Sequence, residues 1–383
     1  MTRIQTGTRL QSGPRLQAGP GRLSNTMILL IVTIALFVAI YIISMVVFKD
    51  AQFGKFSVFF NLINTKAYLL VLALALTVAM IPGSIDISVG GVTGLVSMTI
   101  SMMLSVYGMN AGLSIPAALG IGLAFGVMQG FLVAYMEIQP FIITLTGMFF
   151  ARGLVSVINS QSVAVTDLTF KSWVDLKFYI PFLYNVRGNG TYDYAYLTLG
   201  AVVALAVLVF LVILLKFSRF GRSLYAVGGS RQSAMLMGIN VKKTIFTAHV
   251  LSGLLAGIGG LLFTLMFPAG NSMLGRGYEI DAIAGAVIGG TMLNGGVGLP
   301  IGTFFGVMIN AVVARVVPMM GLTEPSWPSV ITAIFLFVFI VLQSLLVIAG
   351  NKEGGIRQLV PEWLKFGKKS EDADEGAGED ATD

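Results

Sequence analysis

The sequence predicts an all-α, polytopic membrane protein of about ten transmembrane helices. Three observations carry that reading. Of 383 residues, 56% are hydrophobic and 11% charged, less than half the charged share of an ordinary soluble domain. Mean hydropathy is +0.86. The apolar residues fall in long runs, and the basic residues gather in alternate connections, as membrane insertion favours. There is no cysteine, and His249 is the only histidine. Disulfide frameworks, thiolate sites and His-cluster metal sites are thereby excluded. A membrane enzyme would need a nucleophile–base pair or a metal constellation, and neither is present.

In chain order, residues 1–26 are polar, rich in glycine and carry Arg3, Arg9, Arg15 and Arg22. A disordered cytoplasmic tail is expected there. Met27–Phe48 is the first span. A secretory signal also follows basic residues, but its apolar core is about 7–15 residues and ends at small ones. This run is longer and ends in Val-Phe-Lys, so it reads as a retained helix. Further spans are expected at Ala67–Ile81, Gly91–Val106, Leu113–Met136, Phe141–Ile158, Tyr194–Leu215, Ile245–Phe267, Ile280–Met292, Ile301–Met319 and Val330–Ala349. Several fall short of the about 20 residues a perpendicular helix needs. The two shortest, interrupted by Gly and Pro, read as broken or tilted. Residues 27–349 thus form the transmembrane domain. The connection at 159–193, with Trp173, Tyr179 and Tyr184, is expected as an extracytoplasmic loop, and residues 350–383 as a cytoplasmic tail whose acidic end is disordered.

Charge tests the count. With the N-terminus inside, ten spans put residues 216–244 and the C-terminus inside as well. That side holds the four tail arginines, six basic residues of 216–244, and Lys352, Arg357, Lys365, Lys368 and Lys369. The opposite side holds seven: Lys49, Lys55, Lys66, Lys171, Lys177, Arg187 and Arg276. Ten spans divide into five plus five, and an odd number per half gives an inverted repeat. IDISVGG (Ile85–Gly91) and IDAIAGA (Ile280–Ala286) echo each other faintly. Each places an aspartate where an apolar helix begins.

The polar interruption 216–244 carries Lys216, Arg219, Arg222, Arg231, Lys242 and Lys243, and no acid. Gly228-Gly229 is expected to break the chain, Ser230 to cap a helix over Arg231–Met237, and Gly238 to end it in a left-handed residue with Ile239 as the apolar closing contact. That helix presents Met235, Leu236 and Met237. Two readings stand: insertion into a groove on a soluble partner, or rest on lipid headgroups.

Within the spans, Asp86 and Ser88 follow the break at Pro82-Gly83-Ser84. They either line a cavity at a discontinuous helix or cap a helix N-terminus. Asp281 has the same two readings. Arg152 and Arg315 are costly against lipid and must face a cavity, pair with an acid or snorkel. Gln129, Asn310 and His249 either line a path or bond a neighbouring helix. Glycines four apart (Gly122, Gly126, Gly130; Gly253, Gly257; Gly285, Gly289; Gly302, Gly306) read as close helix contacts. The run Gly289–Gly302 follows no strand and lacks Gly-Lys-Ser/Thr, so it is no nucleotide loop.

Four segments carry a family resemblance. IDISVGG, QPFIITLTGMFFARG (Gln139–Gly153), FGRSLYAVGGSRQSAMLMGIN (Phe220–Asn240) and YEIDAIAGAVIGGTMLNGGVGLPIGTFFG (Tyr278–Gly306) resemble, in order, the signatures of bacterial ABC-importer permeases for ribose and related monosaccharides. The phrasing is closest to galactofuranose- and fructose-type permease subunits. The resemblance implies a multi-pass permease of the bacterial cytoplasmic membrane with both termini cytoplasmic. It implies a non-enzymatic subunit that carries a monosaccharide, a pentose or a hexose. The implied partners are a cytoplasmic sugar ATPase binding ATP and Mg, a second permease, homologous or identical, and an extracytoplasmic sugar-binding protein. No cofactor in this chain and no nucleic acid are implied. Arg222, Gly228, Gly229, Ser230, Ala234, Met235, Met237, Gly238 and Ile239 would form the segment coupled to the ATPase. Asp86, Ser88, Gln129, Arg152, Asp281 and Asn310 are the candidates for the translocation path. The family usually has Asn where Ser230 stands, and the long tails have no counterpart. The rival reading is an ion- or proton-coupled secondary carrier, with Asp86 and Asp281 as its titrating groups.

Overall fold

The computed structural model describes residues 25–48, 53–186, 192–273, 275–324 and 326–350. The expected tails at 1–26 and 350–383 lie almost wholly outside them. Among the described residues, nine helices are long and apolar enough to cross a membrane. The elements in chain order are α1 (Asn25–Val47), α2 (Phe56–Met80), α3 (Val89–Ser101), α4 (Ser114–Ala134), α5 (Pro140–Ile158), β1 (Val163–Ala164), α6 (Leu168–Asp175), β2 (Lys177–Val186), β3 (Tyr192–Thr198), α7 (Leu199–Phe217), α8 (Arg219–Gly229), α9 (Arg231–Leu236), α10 (Val241–Met266), β4 (Ala269–Gly270), α11 (Tyr278–Ile288), α12 (Pro300–Met319) and α13 (Trp327–Gly350). A π-helical turn at Met102–Val106 extends α3 to spanning length.

Among the described residues, the half-helix α11 adds a tenth crossing of the bundle to these nine. Gly228, Ile81 and Gly296 touch, and Thr33 Oγ1 donates to Ile288 O at 2.6 Å. The start of α1, the ends of α2 and α11, and α8–α9 therefore share one end of the bundle. At the other end β1 pairs with β4 and Ser97 Oγ donates to Ala269 O. The eighth pass, expected as a span over Ile280–Met292, is an 11-residue half-helix. Its glycines explain the shortfall. Gly275 and Gly277 hold φ of +82° and +85°, and Gly290, Gly295 and Gly296 are also left-handed. Helix is broken on both sides of α11.

Two other boundaries differ from expectation. The second span starts at Phe56, not Ala67. Lys66 lies inside it, at a kink with φ −113° and ψ 15°, and so leaves the tally of surface charges. The sixth span starts at Leu199, because Tyr192–Thr198 pairs with β2 as an antiparallel hairpin. Asn64 of α2 holds that hairpin: its Nδ2 donates to Tyr196 O and its Oδ1 accepts from Thr198 N, both at 2.9 Å.

Burial orders the bundle. In its apolar window α2 is 89% buried, against 17% for α1 and α13, so α2 is the axis and the latter two are peripheral. Two seams depend on the four-spaced glycines. A Cβ on Gly253 would sit 2.6 Å from Gly126 Cα, and one on Gly126 would sit 2.7 Å from His249 O, closing α4 on α10. A Cβ on Gly289 would sit 2.5 Å from the carbonyl carbon of Gly302, and one on Gly306 would sit 2.8 Å from Gly289 N, closing α11 on α12. The packing echoes a five-plus-five arrangement. Helix α4 lies along α10 as α12 lies along α2, and α3 packs on α10 and α5 as α11 packs on α2 and α13.

Gly253→Val should therefore cost at least the about 1–3 kcal/mol typical of overpacking, read as a fall in the thermal midpoint of the purified protein. Gly153, with nothing within 4 Å of an added Cβ, supplies the control: Gly153→Ala should leave the midpoint unchanged or slightly raised.

Candidate functional site

The first site is the protrusion at α8–α9. Ser218 caps α8, its Oγ accepting from Gly221 N at 3.0 Å. Arg222 Nη1 donates to Phe217 O, at the end of α7. Gly228-Gly229, expected as a break, are instead the last residues of α8. Gly228 is small for another reason: an added Cβ would strike Ile81 O and lie 2.5 Å from Gly296 N. The break comes at Ser230, whose extended backbone (φ −163°) starts α9 and whose Oγ accepts from Ser233 N at 3.2 Å.

The C-terminal stop is as expected. Gly238 has φ +78°. Ile239 N donates to Ala234 O and Gly238 N to Met235 O, both at 3.0 Å, the paired bonds of a left-handed helix stop. Ala234 is buried and Ile239 packs with it against Val133, Val227 and Ile245. This anchoring turns the other side outward: Met235 is 66% exposed, Leu236 84% and Met237 67%. All three are exposed as expected, Leu236 the most. Lys242 Nζ, just beyond, meets Glu137 Oε1 at 2.7 Å. That hydrogen bond and the ammonium charge hold the Glu137 carboxyl below the usual carboxylate range. Tyr225 OH donates to Gly298 O at 2.6 Å, and burial pushes its phenol up to about 12, so it stays a donor at physiological pH.

The second site lies at membrane depth. Asp86, 1% exposed, accepts at Oδ1 from Ser88 N (3.1 Å) and Ser88 Oγ (2.6 Å), and at Oδ2 from Ser252 Oγ (2.8 Å). Ser252 is eleven residues into the 26-residue α10. At 1.5 Å per residue this is about 16 Å along a helix of about 39 Å, so Asp86 is held near the middle of the bundle. It does not merely cap a surface helix: one oxygen serves the start of α3, and the other bonds across to α10. Gln129 Oε1 lies 3.1 Å from Ser88 Oγ, and its amide faces Gly147 of α5. Beside this cluster Ser84 Oγ meets His249 Nε2 at 3.0 Å.

The remaining candidates are not part of that cluster. Arg152 pairs with an acid: its Nη2 donates to Glu279 Oε1 at 2.8 Å, joining α5 to α11. Asp281 Oδ1 is 3.5 Å from Asn310 Nδ2, which also reaches Thr332 Oγ1 at 3.2 Å. Asn310 thus bonds neighbouring helices. The Arg315 guanidinium lies over the Phe53 ring at 5.5 Å. Sequence reasoning missed Glu279 and Ser252. Glu279 carried a signal, since a spanning arginine demands an acid and Glu279 stands two residues from Asp281. Ser252 carried none.

Residues 58–342 match the family model described as branched-chain amino acid transport system / permease component. The chain is 35% identical over 314 residues to the inner membrane ABC transporter permease protein YjfF of Escherichia coli (strain K12), covering 82% of this chain and 91% of that one. It is 33% identical over 320 residues to the fructose import permease protein FruG of Bifidobacterium longum (strain NCC 2705), covering 82% and 92%. It is 32% identical over 295 residues to the ribose import permease protein RbsC of E. coli (strain K12), covering 76% and 86%. No solved structure matches.

The Asp86 cluster makes a quantitative expectation. Ser252→Ala removes a hydrogen bond to a charged group and should cost about 1.5–3 kcal/mol. Asp86→Ala strands Ser88 and Ser252 together and should cost more. Thermal unfolding of the purified variants checks the order; equal midpoints for Asp86→Ala and the unaltered chain would mean the cluster does not form.

Proposed function

The chain belongs to the branched-chain amino acid transport-type permease family, and from that premise we propose that it is the membrane subunit through which an ATP-driven ABC importer carries a monosaccharide. Its relatives include permeases named for fructose and ribose import, and a pentose or hexose is the matching cargo here. None of these relatives is a secondary carrier by name, which disfavours the proton-coupled reading. The bundle itself is a multi-pass membrane protein.

The observation that carries the mechanism is the exposed Met235-Leu236-Met237 face on a helix fixed at both ends. Three consecutive large apolar residues at the end of a short anchored helix give it an exposed apolar tip, which a groove on a partner can receive. The occupant of that role is a cytoplasmic ATPase, which places α9 and both described chain ends on the cytoplasmic side. ATP and Mg bind in that partner. A second permease, identical or homologous, and an extracytoplasmic binding protein complete the importer. Arg222 serves by tying α8 to α7, Gly228 by transmitting motion, and Ser230, Ala234, Gly238 and Ile239 by fixing α9. Gly229, exposed beside Ser230, leaves the groove's rim unobstructed.

ATP binding closes the partner, α9 moves with it, and the glycine contacts at Ile81 and Gly296 carry the motion to the turns that lead into α3 and α12. Asp86, Ser88 and Gln129 hold the first of those turns. They serve the path by positioning α3, and Asp281 with Asn310 does the same for α11.

The double variant Met235→Asp with Met237→Asp tests the docking. It should insert normally and lose the ATPase on co-purification, because two carboxylates would be buried in an apolar groove. ATP-dependent sugar uptake in proteoliposomes should be lost with it. Retained co-purification, or uptake that a proton gradient drives without ATP, contradicts the proposal.

A further inference from the structure

The first turn of α11 meets α3 and α5 in the interior of the bundle. Left-handed Gly275 and Gly277 swing the chain there, so close to α3 that a Cβ added to Gly90 would strike Glu279 Oε2 and sit 3.0 Å from Gly275 O and 3.1 Å from Glu279 N. Glu279 Oε1 takes the hydrogen bond from Arg152 Nη2. Two atoms of this pair have no partner: Glu279 Oε2 and Arg152 Nε. The Glu279 side chain is 9% exposed and that of Arg152 is 24%. An unmet acceptor and an unmet donor, each on an ionic group away from bulk water, are unfavourable as they stand. A hydroxyl group can donate to a carboxylate oxygen such as Oε2, or accept from an N–H such as that of Nε.

The charge balance narrows the ligand. Arg152 and Glu279 cancel, so a solute with a net charge would meet one like charge in the pair. The neighbouring residue Tyr278 stacks at 5.3 Å on Tyr68 and at 5.3 Å on Phe263. Tyr278, one residue before Glu279, thus belongs to an aromatic cluster with Tyr68 and Phe263. A neutral, polyhydroxylated solute fits the balanced pair.

We infer that Arg152 and Glu279 form a sugar-contacting gate: paired, they close the path between α5 and α11, and when the helices part, sugar hydroxyls replace the partner each has lost. The exchange conserves hydrogen bonds, so opening is favoured when cargo is present. This inference rests on the importer reading above.

The absence of cysteine from the chain permits a direct test in the complete importer reconstituted in proteoliposomes. Glu279→Cys supplies one thiol in this subunit, read by a small water-soluble methanethiosulfonate reagent. The thiol should be unreactive at rest and react in the complex trapped with ADP and vanadate. D-fructose or D-ribose should slow that reaction several-fold, and L-leucine should not. Arg152→Cys, read in the same way, serves where the first variant does not assemble. A thiol unreactive in every state would make the pair a structural brace. Labelling indifferent to both sugars, or slowed by leucine, would equally overturn the inference. ATP-driven uptake by the unaltered chain is measured alongside. Its absence removes the importer reading, whereas its presence without protected labelling removes only the gate.

Discussion

No side chain can be built on Gly228. Ile81 O and Gly296 N occupy the space, and Gly296 N itself donates to Ile81 O at 2.8 Å. Three distant segments therefore meet main chain to main chain: the end of α8, the turn after α2 and the turn before α12. Side-chain contacts can absorb a displacement by changing rotamer, but backbone contacts cannot. Tyr225, bonded to Gly298, reinforces the junction. Helix α9 begins only three residues after Gly228. In the proposed importer, that rigidity lets a surface helix serve as a lever.

The two turns lead to the helices that the membrane would not tolerate alone. Broken helix exposes backbone and polar groups, which the hydrocarbon core cannot satisfy. Here protein groups do so. Asp86 is met by Ser88 and Ser252, Asp281 by Asn310, and Arg152 by Glu279. The glycine seam between α11 and α12 brings those two helices close enough for Asp281 and Asn310 to reach each other. Packing and polar satisfaction are thus one arrangement.

Much of this was legible in the sequence because local rules apply locally. The cap at Ser230 and the stop at Gly238 and Ile239 depend on neighbours within one turn, and they stand where the residues indicated. The four-spaced glycines likewise face one another, since a small stripe on a membrane helix has little other use. Non-local features were harder. Lys66 reads from the sequence as a surface charge, yet it sits at a kink inside α2. Residues 194–198 read from the sequence as the start of a span, yet they belong to the strand Tyr192–Thr198 of a hairpin. Gly228 was read as a breaker, and it is a contact residue instead. The last two misses concern residues whose partners lie far along the chain, where periodicity says nothing.

The central claim is that an external ATPase grips the outward face of α9, and photocross-linking tests it most directly. A photoreactive phenylalanine analogue in place of Leu236, in membranes containing the whole importer, should yield on illumination an adduct of this chain with the ATPase subunit. Adducts with lipid alone would contradict the account, and so would capture of a protein from the extracytoplasmic side.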